Sequence, residues 1–234
     1  NFMTKAVFFD MYGTLAGFKP SRYEIQSQAC ADFGIQLTRN GILRGYSSAD
    51  RYMSEQNALF PLRARNSVER DNAFGEYERR VLQGSGVDVS LGLALEIFHR
   101  LRDISYRLVL FEDVLLSLEA LRSRGIILGL ISNMDRDSNE LLEGLGLSQH
   151  LDFAIISSEV GVDKPDPRIF RAALIRAGVR REEAMHVGDQ PISDVQGAIT
   201  AGISPVLIDR DGVHNEIDVC PRIESLLELN GLLQ

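Results

Sequence analysis

Lys5 to Phe9 carries a short apolar run, Ala6-Val7-Phe8-Phe9, with no alternation of polar and apolar positions. A strand covered on both faces has this signature. The pattern then changes. From about Ser21 to Leu108 apolar residues recur at helical spacing, as at Tyr23, Ile25, Ala29 and Phe33, and Gly34 ends the run. Met53 to Phe60 and Ala73 to Leu82 continue in the same style, and Leu91, Leu95, Phe98, Leu101 and Ile104 form another stripe. The stretch reads as an all-helical insertion.

From Phe111 strands and helices alternate. Val114, Leu115, Leu118 and Leu121 predict a helix ending at Gly125, followed by a strand over Ile126 to Ile131. Asp137 to Leu145 is a helix closed by Gly146, with Asp135 and Asp137 at its cap and first turn, and Phe153 to Ile156 is a strand. Asp166 caps a helix with Pro167 at its first position, running through Phe170, Ala173 and Leu174 to Gly178. Ala184 to Val187 is a strand, Ile192 to Ala201 a helix ended by Gly202, Pro205 to Ile208 a strand, and Ile223 to Leu229 a final helix. Such alternation predicts a parallel sheet with right-handed crossovers.

Composition narrows the class. The 234 residues are 44% hydrophobic and 25% charged, an ordinary globular balance for one α/β domain with a large insertion or two modest domains. The net charge of −8 gives no basic footprint for nucleic acid, and Arg63, Arg65 and Arg70 read as a solvated helix face or loop. Cys30 and Cys220 are not at metal spacing and form no disulfide framework, so a reducing, cytoplasmic setting is expected. No apolar stretch approaches membrane-spanning length and the chain enters a strand within a few residues, so neither a membrane partner nor a signal peptide is expected. The sequence is silent on oligomeric state.

The chemistry lies in four segments: Asp10-Met11-Tyr12-Gly13-Thr14 after the first strand, Ser132-Asn133 after the second, Asp163-Lys164-Pro165 in a loop before a helix, and Gly188-Asp189 running on to Asp194. Parallel strands bring such polar tips to one edge of a sheet, where α/β proteins bind ligands. A carboxylate there, with further carboxylates for a cation and a lysine for an anion, points to nucleophilic chemistry on a small anionic substrate. Asp10 and Asp189 side by side would repel each other and such a substrate, and a hard divalent cation, Mg2+, removes that problem. His186, alone of the four histidines, is near these segments. It takes a strand position and reads as structural.

With these segments in this order, the chain resembles the haloacid dehalogenase superfamily of hydrolases. The likeness covers the whole chain, including a long helical insertion after the first segment, where this superfamily places one type of cap. It implies a Rossmann-like, doubly wound parallel sheet of order 5-4-1-2-3. A core of residues 1–18 and 109–234 would carry a helical cap of residues 19–108, with hinges near Phe18 and Phe111. It implies Asp10 as nucleophile and Thr14, Ser132 and Asn133 as hydrogen-bond donors to the transferring group. Lys164 becomes the counter-charge, and Asp10, the Tyr12 carbonyl, Asp189 and Asp194 the holders of Mg2+.

The sequence also departs from the phosphatase pattern. Phosphatases of the superfamily read Asp-x-Asp-x-Thr in the first segment, and here Tyr12 replaces the second acid, as in 2-haloacid dehalogenases. The fourth segment, with Asp189 and Asp194, has the phosphatase form, and Phe170 stands where dehalogenases tend to have a tyrosine. A phenol with a pKa near ~10 is a poor acid–base catalyst at neutral pH, although its backbone carbonyl is unaffected. Three readings follow: a Mg2+-dependent phosphohydrolase first, a metal-independent 2-haloacid dehalogenase second, and a non-catalytic relic of the same fold third. Cap residues, Arg39, Arg44 and Arg51 among them, would set specificity.

Overall fold

The computed structural model describes residues 3–135 and 137–233. The chain divides into two compact units, Asn1–Gly17 with Val109–Gln234, and Phe18–Leu108.

The first unit is built on a six-stranded sheet. Its strands are β1 (Ala6–Phe9), β4 (Ile127–Ser132), β5 (Phe153–Ile156), β6 (Ala184–Gly188), β7 (Ser204–Ile208) and β8 (Arg222–Ile223). They lie in the order β5-β4-β1-β6-β7-β8, and every pairing is parallel. Numbering β1, β4, β5, β6 and β7 as first to fifth and reading from the β7 side gives the expected 5-4-1-2-3, with β8 added beyond β7. The central β1 is wholly buried, which accounts for its unbroken apolar run. On one face Phe8 meets Phe153 edge-on at 5.9 Å, within a core that includes Ile131, Ile169, Phe170, Ala173 and Ala198. Removing a buried phenylalanine ring from such a core costs about 3–5 kcal/mol.

Local chemistry sets the helix ends. α5 (Val114–Ser123) follows β3 (Arg107–Leu110). In α6 (Ser138–Gly144) the Asp137 side chain accepts from the Glu140 N–H. α7 (Ser157–Val160) is a single turn. In α8 (Pro167–Ala177) Asp166 accepts from the Arg168 N–H, Pro167 needs no donor at the first turn, and Gly178 closes the helix at φ 66°. The cap is thus Asp137, which the sequence reading put in the first turn, and Asp135, read as the cap, lies outside the helix.

Three readings need correction. The predicted helix over Ile192 to Ala201 begins as a π-helical turn, Pro191–Gln196, and becomes α-helical only in α9 (Gly197–Ala201). The predicted final helix over Ile223 to Leu229 is instead β8, a 3-10 turn at Leu226–Glu228 and the short α10 (Leu229–Leu232). Ile223 pairs with Ile208, a long-range contact that no local periodicity announces. Finally, β2 (Ala16–Lys19) and β3 pair as a separate two-stranded sheet at the boundary of the two units. Each has four residues and β2 contains Gly17, too little pattern to separate from its surroundings.

The second unit is helical: α1 (Arg22–Ala31), α2 (Arg39–Leu59), α3 (Ser67–Gln83) and α4 (Leu91–Arg102). Ser21 with Glu24, and Asn66 with Glu69, form reciprocal caps at the starts of α1 and α3. Ile25, Ala29, Cys30, Leu82, Ile97 and Ile104 make its core. One buried acid lies in this unit. Glu78 Oε1 accepts from Gln26 Nε2, its Oε2 has no hydrogen-bond partner, and burial pushes its carboxyl up to about 7.

Candidate active site

Register brings the polar segments together. Phe9, the last residue of β1, stands between Leu130 of β4 and Val187 of β6. Asp10, Asn133 and Asp189 therefore leave three adjacent strands at the same carboxyl edge. The Asp10 N–H donates to the Val187 carbonyl at 2.9 Å, extending the β1–β6 pairing by one bond. The chain then turns at Gly13, whose φ of 79° is open to glycine at little cost, and Gly13 N–H donates to the Ala16 carbonyl at 2.9 Å. The half-buried Tyr12 lies in this turn and bridges Ala16.

Lys164 reaches the edge from the loop before α8. Asn133 holds its backbone on both sides: Asn133 Nδ2 donates to the Lys164 carbonyl at 3.0 Å, and Lys164 N–H donates to Asn133 Oδ1 at 2.7 Å. Asn133 was expected to donate to the transferring group; here its amide is engaged in placing the lysine. The buried Lys164 Nζ lies 2.6 Å from Asp10 Oδ1 and 2.6 Å from Asp194 Oδ1. Thr14 Oγ1 and Ser132 Oγ are buried hydroxyls with no hydrogen-bond partner. Two expected donors thus have protons uncommitted.

The charges shape one another. Burial pushes the Asp10 carboxyl up to about 6; Lys164 opposes the shift and Asp194 adds to it. Burial also disfavours the Lys164 ammonium, but Asp10 and Asp194 outweigh it and hold Lys164 above the usual lysine range. Asp194 stays well below the usual carboxylate range despite burial, because Lys164 and His186 favour its anion. Burial lowers His186, against the pull of Asp194.

Oxygens of Asp10, Asp189 and Asp194 come within 4.8 Å of one another. Three carboxylates are hard, anionic donors suited to Mg2+, which prefers oxygen ligands and keeps several waters. The donor set fits such an ion. Tyr12, the fourth expected holder, lies two residues after Asp10 in the same turn.

Sequence reasoning missed two neighbours. His186 Nε2 lies 2.9 Å from Asp194 Oδ1, so the residue read as structural touches the charged cluster. Arg210, just past β7, donates through Nη2 to the Thr14 carbonyl at 2.8 Å and through both Nη atoms to Asp113 at 3.0 Å. Asp113 also accepts from Ser225 Oγ and the Leu226 N–H, each at 2.8 Å. The available signal was position: Arg210 lies two residues past the end of β7, at the functional edge.

Among the described residues no helix is long and apolar enough to cross a membrane. A family model described as a haloacid dehalogenase-like hydrolase matches residues 4–202. The chain is similar to a glyceraldehyde 3-phosphate phosphatase of Methanothermobacter thermautotrophicus, 30% identical over 220 residues, with 92% of this chain and 90% of that protein covered. It is also similar to a phosphoserine phosphatase of Thermus thermophilus, 46% identical over 105 residues, covering 44% of this chain and 42% of that one. Among solved structures, a 2-haloacid dehalogenase from Pseudomonas syringae is 25% identical with a TM-score of 0.56, covering 98% of both chains. The chain spans about half the length of several curated relatives that it matches. Its sheet order, the placing of its acids and lysine at one sheet edge, and a match across most of its length agree: the chain belongs to the haloacid dehalogenase-like hydrolase family.

Proposed function

We propose that this chain is a Mg2+-dependent phosphohydrolase that cleaves a small phosphorylated metabolite through an aspartyl-phosphate on Asp10. The observation that carries the reading is the charge count at the edge: three carboxylates, Asp10, Asp189 and Asp194, cluster there, and the buried Lys164 pairs with two of them, Asp10 and Asp194. An anionic substrate cannot approach that excess of negative charge without another cation. Asp189 has no use in a metal-independent dehalogenase, where it would repel the substrate carboxylate. The phosphatases among the relatives support the same reading.

Asp10, Asp189 and Asp194, with the Tyr12 carbonyl, would hold the ion. When bound, Mg2+ supplies charge neutralisation and polarises a phosphoryl oxygen. Asp10 attacks phosphorus, the bond to the leaving oxygen breaks, and Lys164, Thr14 Oγ1 and Ser132 Oγ offset the charge that develops on the phosphoryl group. Water then cleaves the aspartyl-phosphate, releasing inorganic phosphate and restoring the Asp10 carboxylate. Tyr12 is a poor proton donor to the departing oxygen at neutral pH, so acyl, aryl and anhydride phosphates should turn over faster than alkyl esters. The helical unit, Phe18–Leu108, serves as a substrate-selecting cap, and the enzyme works in the cytoplasm with its cysteines reduced.

The test is a paired assay: phosphate release from acetyl phosphate and p-nitrophenyl phosphate with and without Mg2+, beside halide release from 2-chloropropionate. Mg2+-dependent phosphate release that Asp10→Asn abolishes supports the proposal. Halide release without metal transfers the assignment to the dehalogenase reading. Neither activity would leave the non-catalytic relic.

A further inference from the structure

Asp194 is held from three sides. Its Oδ1 accepts from Lys164 Nζ at 2.6 Å and faces His186 Nε2 at 2.9 Å, and its Oδ2 accepts from the Gln190 N–H at 3.0 Å. Asp194, Lys164 and His186 are all buried. An oxygen already receiving a lysine hydrogen bond has no proton to offer, so the His186 nitrogen facing it carries the hydrogen. The ring itself is fixed. His186 pairs in register with Phe8 of β1 and Pro205 of β7, and Phe170 stands edge-on to its ring at 5.1 Å. Its other nitrogen, Nδ1, is buried with no hydrogen-bond partner, so the ring's polar engagement is with Asp194. Gly188 completes the arrangement, since a side chain there would occupy the space of the Asp194 carboxylate.

We infer that His186 is a positioning residue, which acts through Asp194 to hold Lys164 against Asp10. The inference rests on the proposed reading of Asp10 as nucleophile and Lys164 as its counter-charge. Lysine is a point charge on a flexible four-carbon stem, and its direction is set by what it bonds. Here two carboxylate oxygens set it, Asp10 Oδ1 and Asp194 Oδ1. Asp10 must alter its bonding when it attacks, so Asp194 is the fixed end of the pair. With the His186 donor removed, the Asp194 carboxylate loses one of these three hydrogen bonds and keeps those from the Gln190 N–H and Lys164 Nζ. It can then rotate and draw Nζ away from Asp10. A ring that only fills space in β6 would have no such effect.

The experiment uses the full chain, with His186→Leu to remove the donor and His186→Gln to offer an amide N–H near the place of Nε2. First, the imidazole 15N signals of His186 in the wild type, assigned by their loss in His186→Gln, should show a proton on Nε2; an unprotonated Nε2 overturns the inference. Second, with p-nitrophenyl phosphate and saturating Mg2+, His186→Leu should lower kcat about 10- to 100-fold with KM changed less than about threefold, the loss typical of groups that orient charged ligands, and His186→Gln should recover most of it. Equal losses in both folded variants overturn it. If the wild type hydrolyses no phosphate ester, the proposed function fails, and crystal structures of the variants decide the positioning role separately. Lys164 Nζ withdrawn from Asp10 in His186→Leu but held in His186→Gln supports it, and Lys164 unmoved in His186→Leu overturns it. Should His186→Leu not fold, His186→Phe, closer in shape to the ring, replaces it in both measurements.

Discussion

Gly13 lies so close to Asp189 that a methyl group on its α-carbon would collide with the Asp189 carboxylate. The turn after β1 and the end of β6 are thus fitted to each other through an absent side chain. Gly13→Ala meets two penalties at once. The left-handed backbone alone costs about 1–2 kcal/mol. The methyl group also pushes Asp189 from its place near Asp10. A melting temperature lowered by several degrees, with weaker Mg2+ binding by isothermal titration, is the expected result; unchanged Mg2+ affinity would show that Asp189 takes no part in holding the ion.

Lys164→Met leaves Asp10 and Asp194 buried without their cation. Breaking a buried pair in this way costs about 3–5 kcal/mol. Both carboxyls should then rise in pKa, so the folded state binds protons more readily than the unfolded one, and the variant should regain stability as pH falls. Melting curves at pH 8 and pH 5 check the sign: the gap between wild type and variant narrows at pH 5. Turnover should fall at least ~100-fold at any pH, as when a group that stabilises developing charge is removed.

Tyr12→Asp restores an acid–base group on the phosphohydrolase reading. General acid–base catalysis is worth about 100- to 10,000-fold, so alkyl phosphate turnover should rise substantially while aryl phosphates gain much less. On the dehalogenase reading the same change adds another uncompensated carboxylate and lowers halide release. Initial rates on glycerol phosphate, p-nitrophenyl phosphate and 2-chloropropionate separate the two.

Glu78 makes the helical unit sensitive to pH. Its carboxyl lies at about 7 in the folded chain against 4.5 for the free group, and burial is the cause. The folded state therefore binds the extra proton, and Glu78 opposes folding most above pH 7 and progressively less as pH falls toward 4.5. The full effect is of the order of 3 kcal/mol. Glu78→Gln should be the more stable protein at pH 8, with the difference closing near pH 5. Urea titrations at both values test this, and a difference independent of pH would assign Glu78 an ordinary paired state.

The sheet was legible because its strands are short apolar runs that end in polar residues. Val7 to Phe9 announced the central strand, and Asp166-Pro167 with Gly178 marked both ends of α8 by chemistry alone. Asp10, Lys164, Asp189 and Asp194 could be placed together because parallel topology gathers strand tips. The partners of those residues were harder to read. The Asn133 side-chain amide meets the Lys164 backbone across 31 positions of chain, which residue type does not signal. His186 looked like any buried strand residue until Asp194, eight positions on, was seen to fold back to it. β8 exists only through pairing with β7, and its two residues have no period of their own.

The clamp of Arg210, Asp113, Ser225 and Leu226 has a practical consequence. The family match ends at residue 202, so Arg210, Ser225 and Leu226 all lie past it, yet Arg210 grips the Thr14 carbonyl four residues from Asp10. Trimming the protein to its recognised segment would delete three of the clamp's four residues and leave Asp113, a buried acid, with its main partners gone. Any shortened version made for crystallisation or for domain fusion should therefore keep the tail through Leu229, which is itself buried.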